Sequence, residues 1–199
     1  MIIGFTGTFG SGKTTIANYL KSKNFNYITL SDLVREEAQK QNLPIEREIL
    51  QNVGNEMRRL NGNGYWAELA VKRINLNENW VIDGIRNPGE IKVLKKIQGS
   101  MLIALDAPLE IRLKRIAERK GIRSKRKHSD PKDSEEIKKL EARDRGLNEP
   151  KEGQQVALCI EMSDLKIDTN QTIEKTINEI EKILNYKFKN ITKSPNKIV

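Results

Sequence analysis

The sequence predicts an α/β fold in which helices cover both faces of a five-stranded parallel sheet. First, strand-like apolar runs alternate with segments of helical periodicity, the pattern that produces parallel sheets. Second, the first run leads through a glycine-rich turn directly into a helix with an apolar face, which is how a β–α–β unit begins. The five runs, in chain order, are IIGFT, NYITL, NWVID, SMLIALD and DLKID.

The glycine-rich turn fits the phosphate-binding pattern G-x-x-x-x-G-K-[ST], so the predicted fold is that of a P-loop NTPase. In such a turn, backbone N–H groups surround a phosphate, and the following helix contributes the positive end of its dipole. We expect Lys13 to reach the β- and γ-phosphates of ATP and the Thr14 hydroxyl to bind Mg²⁺. The alternative is a simple turn with a solvated lysine. The predicted ATP-binding residues of this phosphate loop are Gly7, Gly10, Ser11, Gly12, Lys13, Thr14 and Thr15.

Composition limits the class of protein. At 199 residues, with 37% hydrophobic residues, the chain forms one domain with insertions. A single cysteine excludes a disulfide framework and a cysteine-rich zinc site. The first strand follows Met1 directly, and no apolar run approaches the roughly 20 residues of a membrane span. We expect a cytoplasmic monomer or small homo-oligomer that does not enter a membrane.

Two insertions interrupt the alternation of strands and helices. Residues 33–75 predict a helical hairpin, whose apolar stripe comprises Ile45, Ile49, Leu50, Val53, Met57 and Leu60. Residues 120–153 are polar, basic and interrupted by Gly and Pro, which is typical of a mobile cap. The phosphate-loop core then comprises residues 1–32, 76–119 and 154–185, and we expect a flexible tail at 186–199.

The positive charge is concentrated in one segment. The chain has a net charge of +9, and residues 112–145 hold 14 Lys and Arg against 7 Asp and Glu. A block of this kind is more typical of a site for one specific anion than of a general polyanion-binding surface, although a solvated charge run is the alternative.

Charged residues follow the second and third strands, at the edge of a parallel sheet where ligands bind. Asp83 ends the third strand and fits the carboxylate that faces Mg²⁺ in phosphate-loop enzymes, with a helix-capping role as the alternative. Arg86 follows it, and Asp32 and Arg35 begin the helix after the second strand. The two arginines together predict a clamp for one phosphate, although each alone is typical of a protein surface.

The chain resembles the adenylate kinase and nucleoside monophosphate kinase group over most of residues 1–184. Ser31-Asp32-Leu33-Val34-Arg35 keeps the Asp-to-Arg spacing of the group's G-D-x-x-R motif. Asp83-Gly84-Ile85-Arg86 resembles the group's D-G-F-P-R motif with one residue fewer. The resemblance implies that Arg35 and Arg86 hold the phosphate of an acceptor, to which the γ-phosphate of Mg·ATP is transferred.

The resemblance extends to DAPLEIRLKRIAERK and implies that Arg115 and Arg119 contact ATP. The basic insertion corresponds to the group's lid, which would bring Arg143 and Arg145 of EARDRGL onto the transferring phosphoryl group. The alternative for these two is an exposed position with pairs to residues four apart. The catalytic residues implied are Lys13, Arg119, Arg143 and Arg145.

The acceptor region departs from the adenylate kinase pattern. The segment QNVGNEMRRLNGNGYW resembles a branch of uncharacterised or deoxynucleotide-directed kinases with Q-x-x-G-x-E-x-R. Gln51, Asn52 and Asn55 are candidates to bind the edge of a base, and the alternative is that they face solvent. The implied acceptor-binding residues are Asp32, Arg35, Gln51, Asn55, Arg58 and Arg86.

Other functions are compatible with a phosphate loop. Dephospho-coenzyme A kinase has a similar first strand and loop, but its members differ at the second and third strands. A regulatory ATPase that binds RNA would use the same loop and the basic charge, yet aromatic residues for base stacking make up only 5% of the chain. A GTPase requires an N/T-K-x-D motif, and Asn196-Lys197 ends the chain without the aspartate. A small-molecule phosphate acceptor therefore remains the preferred partner, with nucleic acid disfavoured.

Overall fold

A computed structural model describes residues 1–122 and 134–191 of the chain. The five strands form one sheet in the order β2-β3-β1-β4-β5, and every pair of neighbours is parallel. The strands are β1 (Ile2–Thr6), β2 (Asn26–Thr29), β3 (Trp80–Ile85), β4 (Met101–Asp106) and β5 (Leu165–Asp168). The helices are α1 (Lys13–Ser22), α2 (Leu30–Lys40), α3 (Arg47–Asn61), α4 (Tyr65–Arg73), α5 (Pro88–Lys95), α6 (Leu109–Ile122), α7 (Ser134–Arg145), α8 (Val156–Glu161) and α9 (Ile173–Ile191).

The five predicted strands and their parallel arrangement are confirmed. In the register, Phe5 of β1 lies beside both Asp83 of β3 and Ile103 of β4. Because the strands are parallel, their carboxyl ends meet at one edge of the sheet, directly beside the loop that follows β1. This register brings Asp83 next to the phosphate loop.

Apolar side chains cover both faces of the sheet, as predicted. One core lies between the sheet and helices α1 and α9 and includes Phe5, Ile16, Leu20, Ile103, Ile180 and Leu184. The other lies under α2, α4 and α5 and includes Leu33, Trp66, Ile82, Ile91, Leu94 and Leu102. Burial on two faces explains why the strands are nearly continuous apolar runs without alternation.

The buried face of α3 is more polar than the predicted apolar stripe. Gln51 and Arg58 are 4% and 3% exposed, whereas Leu60, which was expected in the stripe, is 60% exposed. The reason is that α3 packs on α2 and α4 instead of on the sheet. Its inner surface meets polar groups, among them the Trp66 ring N–H, which donates a 3.1 Å hydrogen bond to the Gly54 carbonyl.

A capping box begins α5 and shows that Asp83 is not a helix cap. The Asn87 side chain accepts a hydrogen bond from Gly89 N at 2.9 Å, and Glu90 Oε2 accepts from Asn87 N at 3.1 Å. Asn87 is therefore the N-cap of α5, while Asp83 lies within β3, four residues earlier in the chain.

The C-terminal helix is longer than expected. Helix α9 continues to Ile191, into the segment for which the sequence predicted a flexible tail. Residues 192–199, and residues 123–133 of the predicted lid, lie outside the described part of the chain. Within residues 1–122 and 134–191, every helix is too short or too polar to cross a bilayer.

Candidate functional site

The phosphate loop connects β1 to α1 and has a backbone that only glycine adopts easily. Gly7, Gly10 and Gly12 all have positive φ angles, and Gly12 is the N-cap of α1. A β-carbon on Gly7 would lie 2.1 Å from the Leu105 carbonyl oxygen, so no other residue fits there. The glycine spacing of the motif therefore follows from the backbone path of the loop.

Lys13, in the first turn of α1, folds back over the phosphate loop. Its ammonium donates hydrogen bonds to the carbonyl oxygens of Gly7 and Thr8 at 2.6 and 2.9 Å and to Ser11 Oγ at 3.2 Å. The pKa of Lys13 is lowered to about 8. Removal from water is the largest cause, and the charges of Arg86 and Arg47 act in the same direction, against the opposing effect of Asp83 and Asp144.

Asp83 is the buried carboxylate beside the loop. Its Oδ2 accepts a 2.8 Å hydrogen bond from the Tyr27 hydroxyl, whereas its buried Oδ1 has no hydrogen-bond partner among the described residues. An oxygen of this kind suits the outer shell of a Mg²⁺ ion, because Mg²⁺ keeps several of its waters and these waters need acceptors. Thr14 is the first-turn hydroxyl of α1 that would bind the ion directly. Nowhere in residues 1–122 and 134–191 do three His, Cys, Asp or Glu side chains form a metal cage.

A cavity on the α1 side of the loop, here the Thr169 cavity, is lined by Gly12, Thr15, Ile16, Arg115, Glu118, Thr169, Gln171, Ile173 and Thr176. The guanidinium of Arg115 donates to the Thr169 carbonyl oxygen at 2.5 Å and to its hydroxyl at 3.1 Å. This pair joins α6 to the loop after β5, next to the phosphate loop. Arg119 lies one turn further along α6, and its side chain is outside the described part of the structure.

A second cavity lies between α2, α3 and the phosphate loop. We call it the four-arginine cavity. It is lined by Phe9, Leu30, Ser31, Val34, Arg35, Arg47, Leu50, Gln51, Gly54, Arg58, Trp66, Gly84, Arg86 and Gln154. Four lining side chains are cationic and none is a carboxylate, while Trp66 and the leucines supply an apolar wall. The lining suits a ligand with an anionic group and a flat or apolar body.

The predicted clamp residues Arg35 and Arg86 both line the four-arginine cavity. Arg35 is half-buried and pairs at 2.7 Å with the exposed Asp32 of the same helix. Arg86 is 19% exposed; its Nη1 lies 3.2 Å from an oxygen of Asp144 and donates a 3.0 Å hydrogen bond to Gln154. Arg35 lies in α2, directly after β2, and Arg86 directly follows β3, so the two arginines come from the carboxyl ends of neighbouring strands.

Arg58 lines the four-arginine cavity, but its guanidinium is bound by a buried carboxylate. Its guanidinium pairs with Glu90 at 2.9 Å, and both side chains are at least 96% buried. Two of the amides that were predicted to bind the edge of a base, Gln51 and Asn55, already have hydrogen-bond partners. Gln51 donates to Asp144 at 3.0 Å, and Asn55 donates to Glu149 at 2.6 Å. Both amides contact the second insertion. Gln51 is buried and Asn55 is half-buried, whereas Asn52 is exposed, as the solvent alternative expected for some of the three.

Two functional candidates were missed in the sequence, namely Arg47 and Asp144. Arg47 opens α3, lies 4.5 Å from the centre of the Phe9 ring and donates a 2.8 Å hydrogen bond to Asp144. Asp144 lies between Arg143 and Arg145 near the end of α7, and its side chain is 1% exposed. The signal in the sequence that could have indicated Asp144 is an acid placed directly between two arginines in a basic segment.

The Asp144 carboxylate lies in a strongly cationic setting. Burial alone would raise its pKa, but the charges of Arg47, Arg86 and Lys13, with the hydrogen bond from Gln51, outweigh burial. The pKa of Asp144 therefore lies below its ordinary value, and the side chain is ionised at neutral pH.

The arginines of α7 contact protein groups instead of the phosphate loop. Arg143 donates to Glu149 and to Asn52, both at 2.7 Å, and Arg145 donates to Glu141 at 3.0 Å. Glu141 also accepts a short hydrogen bond from the buried Arg112, whose guanidinium donates to the Phe9 carbonyl. Arg112 thus joins the phosphate loop to α7.

Comparison with known proteins identifies the family. A family model described as an AAA domain matches residues 3–144, well over half of the chain. A UPF0200 protein of Saccharolobus solfataricus is 32% identical over 193 residues, and the alignment covers 95% of each chain. The chain belongs to the AAA domain family and to the UPF0200 family.

Other UPF0200 relatives are longer than the matched region. A UPF0200/UPF0201 protein of Archaeoglobus fulgidus is 33% identical over 201 residues, which cover 96% of this chain and 57% of the relative. A UPF0200 protein of Sulfurisphaera tokodaii is 37% identical over 118 residues, or 59% of this chain and 66% of the relative. The match thus extends over less than two thirds of both of these relatives.

Solved structures share the fold of this UPF0200 chain. TT1252 from Thermus thermophilus aligns with a TM-score of 0.53 and 18% identity, over 94% of this chain and 97% of that one. Shikimate kinase from Acinetobacter baumannii in complex with shikimate aligns with a TM-score of 0.52 and 16% identity, over 95% of this chain and 93% of that one. A putative kinase from Chloroflexus aurantiacus aligns with a TM-score of 0.55 and 15% identity, over 91% of this chain and 96% of that one. The architecture is therefore a P-loop kinase-like fold.

Proposed function

We propose that this UPF0200 protein is an ATP-dependent phosphotransferase that transfers the γ-phosphate of Mg·ATP to a nucleoside or deoxynucleoside monophosphate. The observation that carries the proposal is the junction of the phosphate loop with the four-arginine cavity. Phe9 belongs to the loop and lines the cavity, and the pKa of Lys13 responds to the charges of Arg47 and Arg86. An anion in the cavity would lie within electrostatic reach of a phosphate on the loop.

The nucleotide side of the proposed site uses the phosphate loop. Lys13, released from the Gly7 and Thr8 carbonyls, would donate to the terminal phosphates, while the loop N–H groups hold them in place. Thr14 and Asp83 would hold Mg²⁺, which supplies neutralisation of the charge on the transferring group. The Thr169 cavity with Arg115, together with Arg119, would receive the rest of ATP.

The acceptor side uses the four-arginine cavity. Arg35 and Arg86 would hold the acceptor phosphate by charge-assisted hydrogen bonds. The apolar wall at Trp66, Val34 and Leu50 suits a base or sugar, and Gln51 and Asn55 would bind its polar edge once they leave Asp144 and Glu149. Asp32 orients Arg35 through their 2.7 Å pair, and Arg58 supports the wall through Glu90.

In the proposed enzyme the second insertion, residues 120–153, is the lid. The first insertion, residues 33–75, is the acceptor-binding part. Arg143 and Arg145 lie on α7, near the phosphate loop through the Arg112–Glu141 contact. In the proposed reaction they would exchange their present carboxylate partners for the transferring phosphoryl group. Phosphoryl transfer needs positioning and charge neutralisation more than a catalytic base.

The proposal is tested by measuring ADP release from Mg·ATP with a panel of acceptors. The panel contains each nucleoside and deoxynucleoside monophosphate, dephospho-coenzyme A, shikimate and a blank without acceptor. We expect one monophosphate to raise turnover strongly above the blank. Turnover with dephospho-coenzyme A alone would establish the rival kinase activity, and turnover with shikimate alone would indicate a hydroxyl acceptor that carries a carboxylate instead of a phosphate.

Arginine variants connect turnover to the proposed site. Arg86→Ala should abolish most of the acceptor-dependent rate, whereas Arg59→Ala is the matched control, because Arg59 is 61% exposed and pairs with Glu56 of the same helix. If no acceptor raises ATP hydrolysis in the parent protein, and the rate is unchanged in Arg86→Ala, the proposal is contradicted. Salt-sensitive binding of RNA in its place would favour the regulatory ATPase.

A further inference from the structure

The Asp144 carboxylate is bound by two guanidiniums and an amide. Its Oδ2 accepts a 2.8 Å hydrogen bond from Arg47, and its Oδ1 lies 3.2 Å from Arg86 and accepts a 3.0 Å bond from Gln51. All three donors line the four-arginine cavity, but Asp144 comes from α7, on the other insertion. The carboxylate thus reaches the edge of the cavity from outside it.

The donors around Asp144 match a phosphate better than a carboxylate. Arginine guanidiniums bind phosphate as well as carboxylate in a bidentate manner, and the Gln51 amide N–H is a further donor. Arg47 Nε is buried without a hydrogen-bond partner among the described residues, so Asp144 leaves one donor of the set unused. A dianionic phosphate balances two arginine charges, whereas a single carboxylate balances one of them.

We infer that Asp144 occupies the place of the acceptor's phosphate, so that the acceptor must displace the α7 carboxylate from Arg47 and Arg86 in order to bind. The inference rests on the proposed function and adds to it a third arginine, Arg47, and a regulatory contact. A neutral acceptor offers nothing to replace Asp144 at the two guanidiniums. The site therefore selects acceptors that carry a phosphate dianion.

The contact also joins acceptor binding to the position of α7. The helix that carries Asp144 also carries Glu141, the partner of Arg112, and Arg143, the partner of Asn52 and Glu149. When phosphate replaces Asp144, α7 loses one of its buried attachments. Arg143 and Arg145, the immediate neighbours of Asp144, are then held less tightly to their present partners.

The test is the affinity of the full chain for inorganic phosphate, measured by calorimetry with Mg·ADP present so that the phosphate loop is filled. Removing a competing group that occupies the site in about ten molecules out of eleven raises the apparent affinity about tenfold. We expect at least this gain in Asp144→Asn, and its loss in Asp144→Asn combined with Arg47→Ala. Glu56→Gln is the control for charge, because Glu56 is 52% exposed on α3 and pairs with Arg59.

The opposite results are equally clear. If Asp144 instead orients the arginines, Asp144→Asn binds phosphate as weakly as the parent or more weakly, and the inference is overturned. A gain that persists without Arg47, or one equally large in Glu56→Gln, also overturns it. Because phosphate binding requires no turnover, a failed acceptor panel leaves this result standing, and the two failures are distinguishable.

A second measurement needs no variant. Amide hydrogen exchange in α7 (Ser134–Arg145) is followed in the parent protein as phosphate is added. Displacement of Asp144 predicts faster exchange in α7, because a buried attachment of the helix is lost. Slower exchange would mean that phosphate and Asp144 bind together, which contradicts the inference.

Discussion

The carboxylate of Asp144 accepts a 2.8 Å hydrogen bond from Arg47, although the two residues are 97 positions apart in the chain. Through this bond the first insertion, which carries Arg47, and the second, which carries Asp144, meet beside the phosphate loop. The loop participates in the same contact, because Phe9 packs against the Arg47 guanidinium. The four-arginine cavity and the phosphate loop therefore meet at this contact.

The first prediction concerns Lys13. Lys13→Ala removes the ammonium that would neutralise the transferring phosphoryl group, and the loss of one preorganised donor of this kind reduces the rate about 10²- to 10³-fold. We expect this loss in the turnover number with the best acceptor, and a similar loss for Arg143→Ala. Near-parent turnover in either variant would remove the assigned role of that residue, and Arg59→Ala is the control.

The second prediction concerns pH. The pKa of Lys13 is lowered to about 8 in the free protein, mainly by burial, and the phosphates of ATP favour the ammonium form. The complex therefore has the higher pKa, so binding takes up a proton above pH 8. We expect ATP affinity to be greatest below pH 8 and to fall as pH rises, by up to about tenfold per pH unit.

Proton uptake is measured by calorimetry in buffers of different ionisation enthalpy. Lys13→Arg is the control, because a guanidinium stays protonated throughout this range. The same uptake in Lys13→Arg would assign the proton to another group and contradict the prediction.

The third prediction concerns Arg47. A charge-assisted hydrogen bond contributes about 1.5–3 kcal/mol, so Arg47→Ala should raise the KM for the monophosphate about ten- to a hundredfold. The KM for ATP should change much less, because Arg47 lines the four-arginine cavity and not the Thr169 cavity. Steady-state kinetics with each substrate varied in turn provides the measurement. Equal changes in both KM values would indicate a general structural defect.

The fourth prediction concerns Asp83. Asp83 Oδ1 has no hydrogen-bond partner in the described part of the chain, which makes Asp83→Asn the direct test of the magnesium assignment. Loss of an outer-shell carboxylate weakens a metal site about 10- to 100-fold, so half-maximal activity should require correspondingly more Mg²⁺. The measurement is a Mg²⁺ titration at fixed ATP. An unchanged titration curve would exclude Asp83 from the metal site.

The fifth prediction concerns stability. Arg58 and Glu90 form a buried ion pair, so Arg58→Met leaves an uncompensated carboxylate and should cost about 3–5 kcal/mol in the free energy of unfolding. Combining it with Glu90→Gln removes the remaining charge and should recover part of this loss. Urea denaturation of the two single variants and the double variant gives the coupling energy.

The exposed neighbour provides the comparison. Arg59→Met changes a side chain that is 61% exposed and should alter the free energy of unfolding by no more than about 0.5 kcal/mol. A double variant as unstable as the sum of the single variants would mean that the two charges do not interact.

Local sequence patterns predicted the sheet, the phosphate loop and the strand ends. These features follow from short-range requirements: apolar residues for strands buried on both faces, and glycines where the loop backbone takes positive φ angles. Asp83 and Arg86 could be predicted for the same reason, because the carboxyl ends of parallel strands necessarily share one edge.

The polar face of α3 could not be predicted from its own periodicity. The sequence offers an apolar stripe that includes Val53 and Leu60. Val53 is buried, but Leu60 is exposed and the polar side chains of Gln51 and Arg58 are buried instead. Their partners, Asp144 and Glu90, come from distant parts of the chain, and burial of a polar group depends on partners that the local sequence does not contain.

The sequence by itself determined a phosphate-loop protein with a five-stranded parallel sheet and arginines at the sheet's carboxyl edge. Only the tertiary structure decided that Arg47 and Arg86 share the carboxylate of Asp144, and that Arg58 pairs with Glu90. The physical reason is that backbone preferences act over a few neighbouring residues. Buried charges, by contrast, are stable only where the whole fold brings an opposite charge and hydrogen-bond donors within about 3 Å.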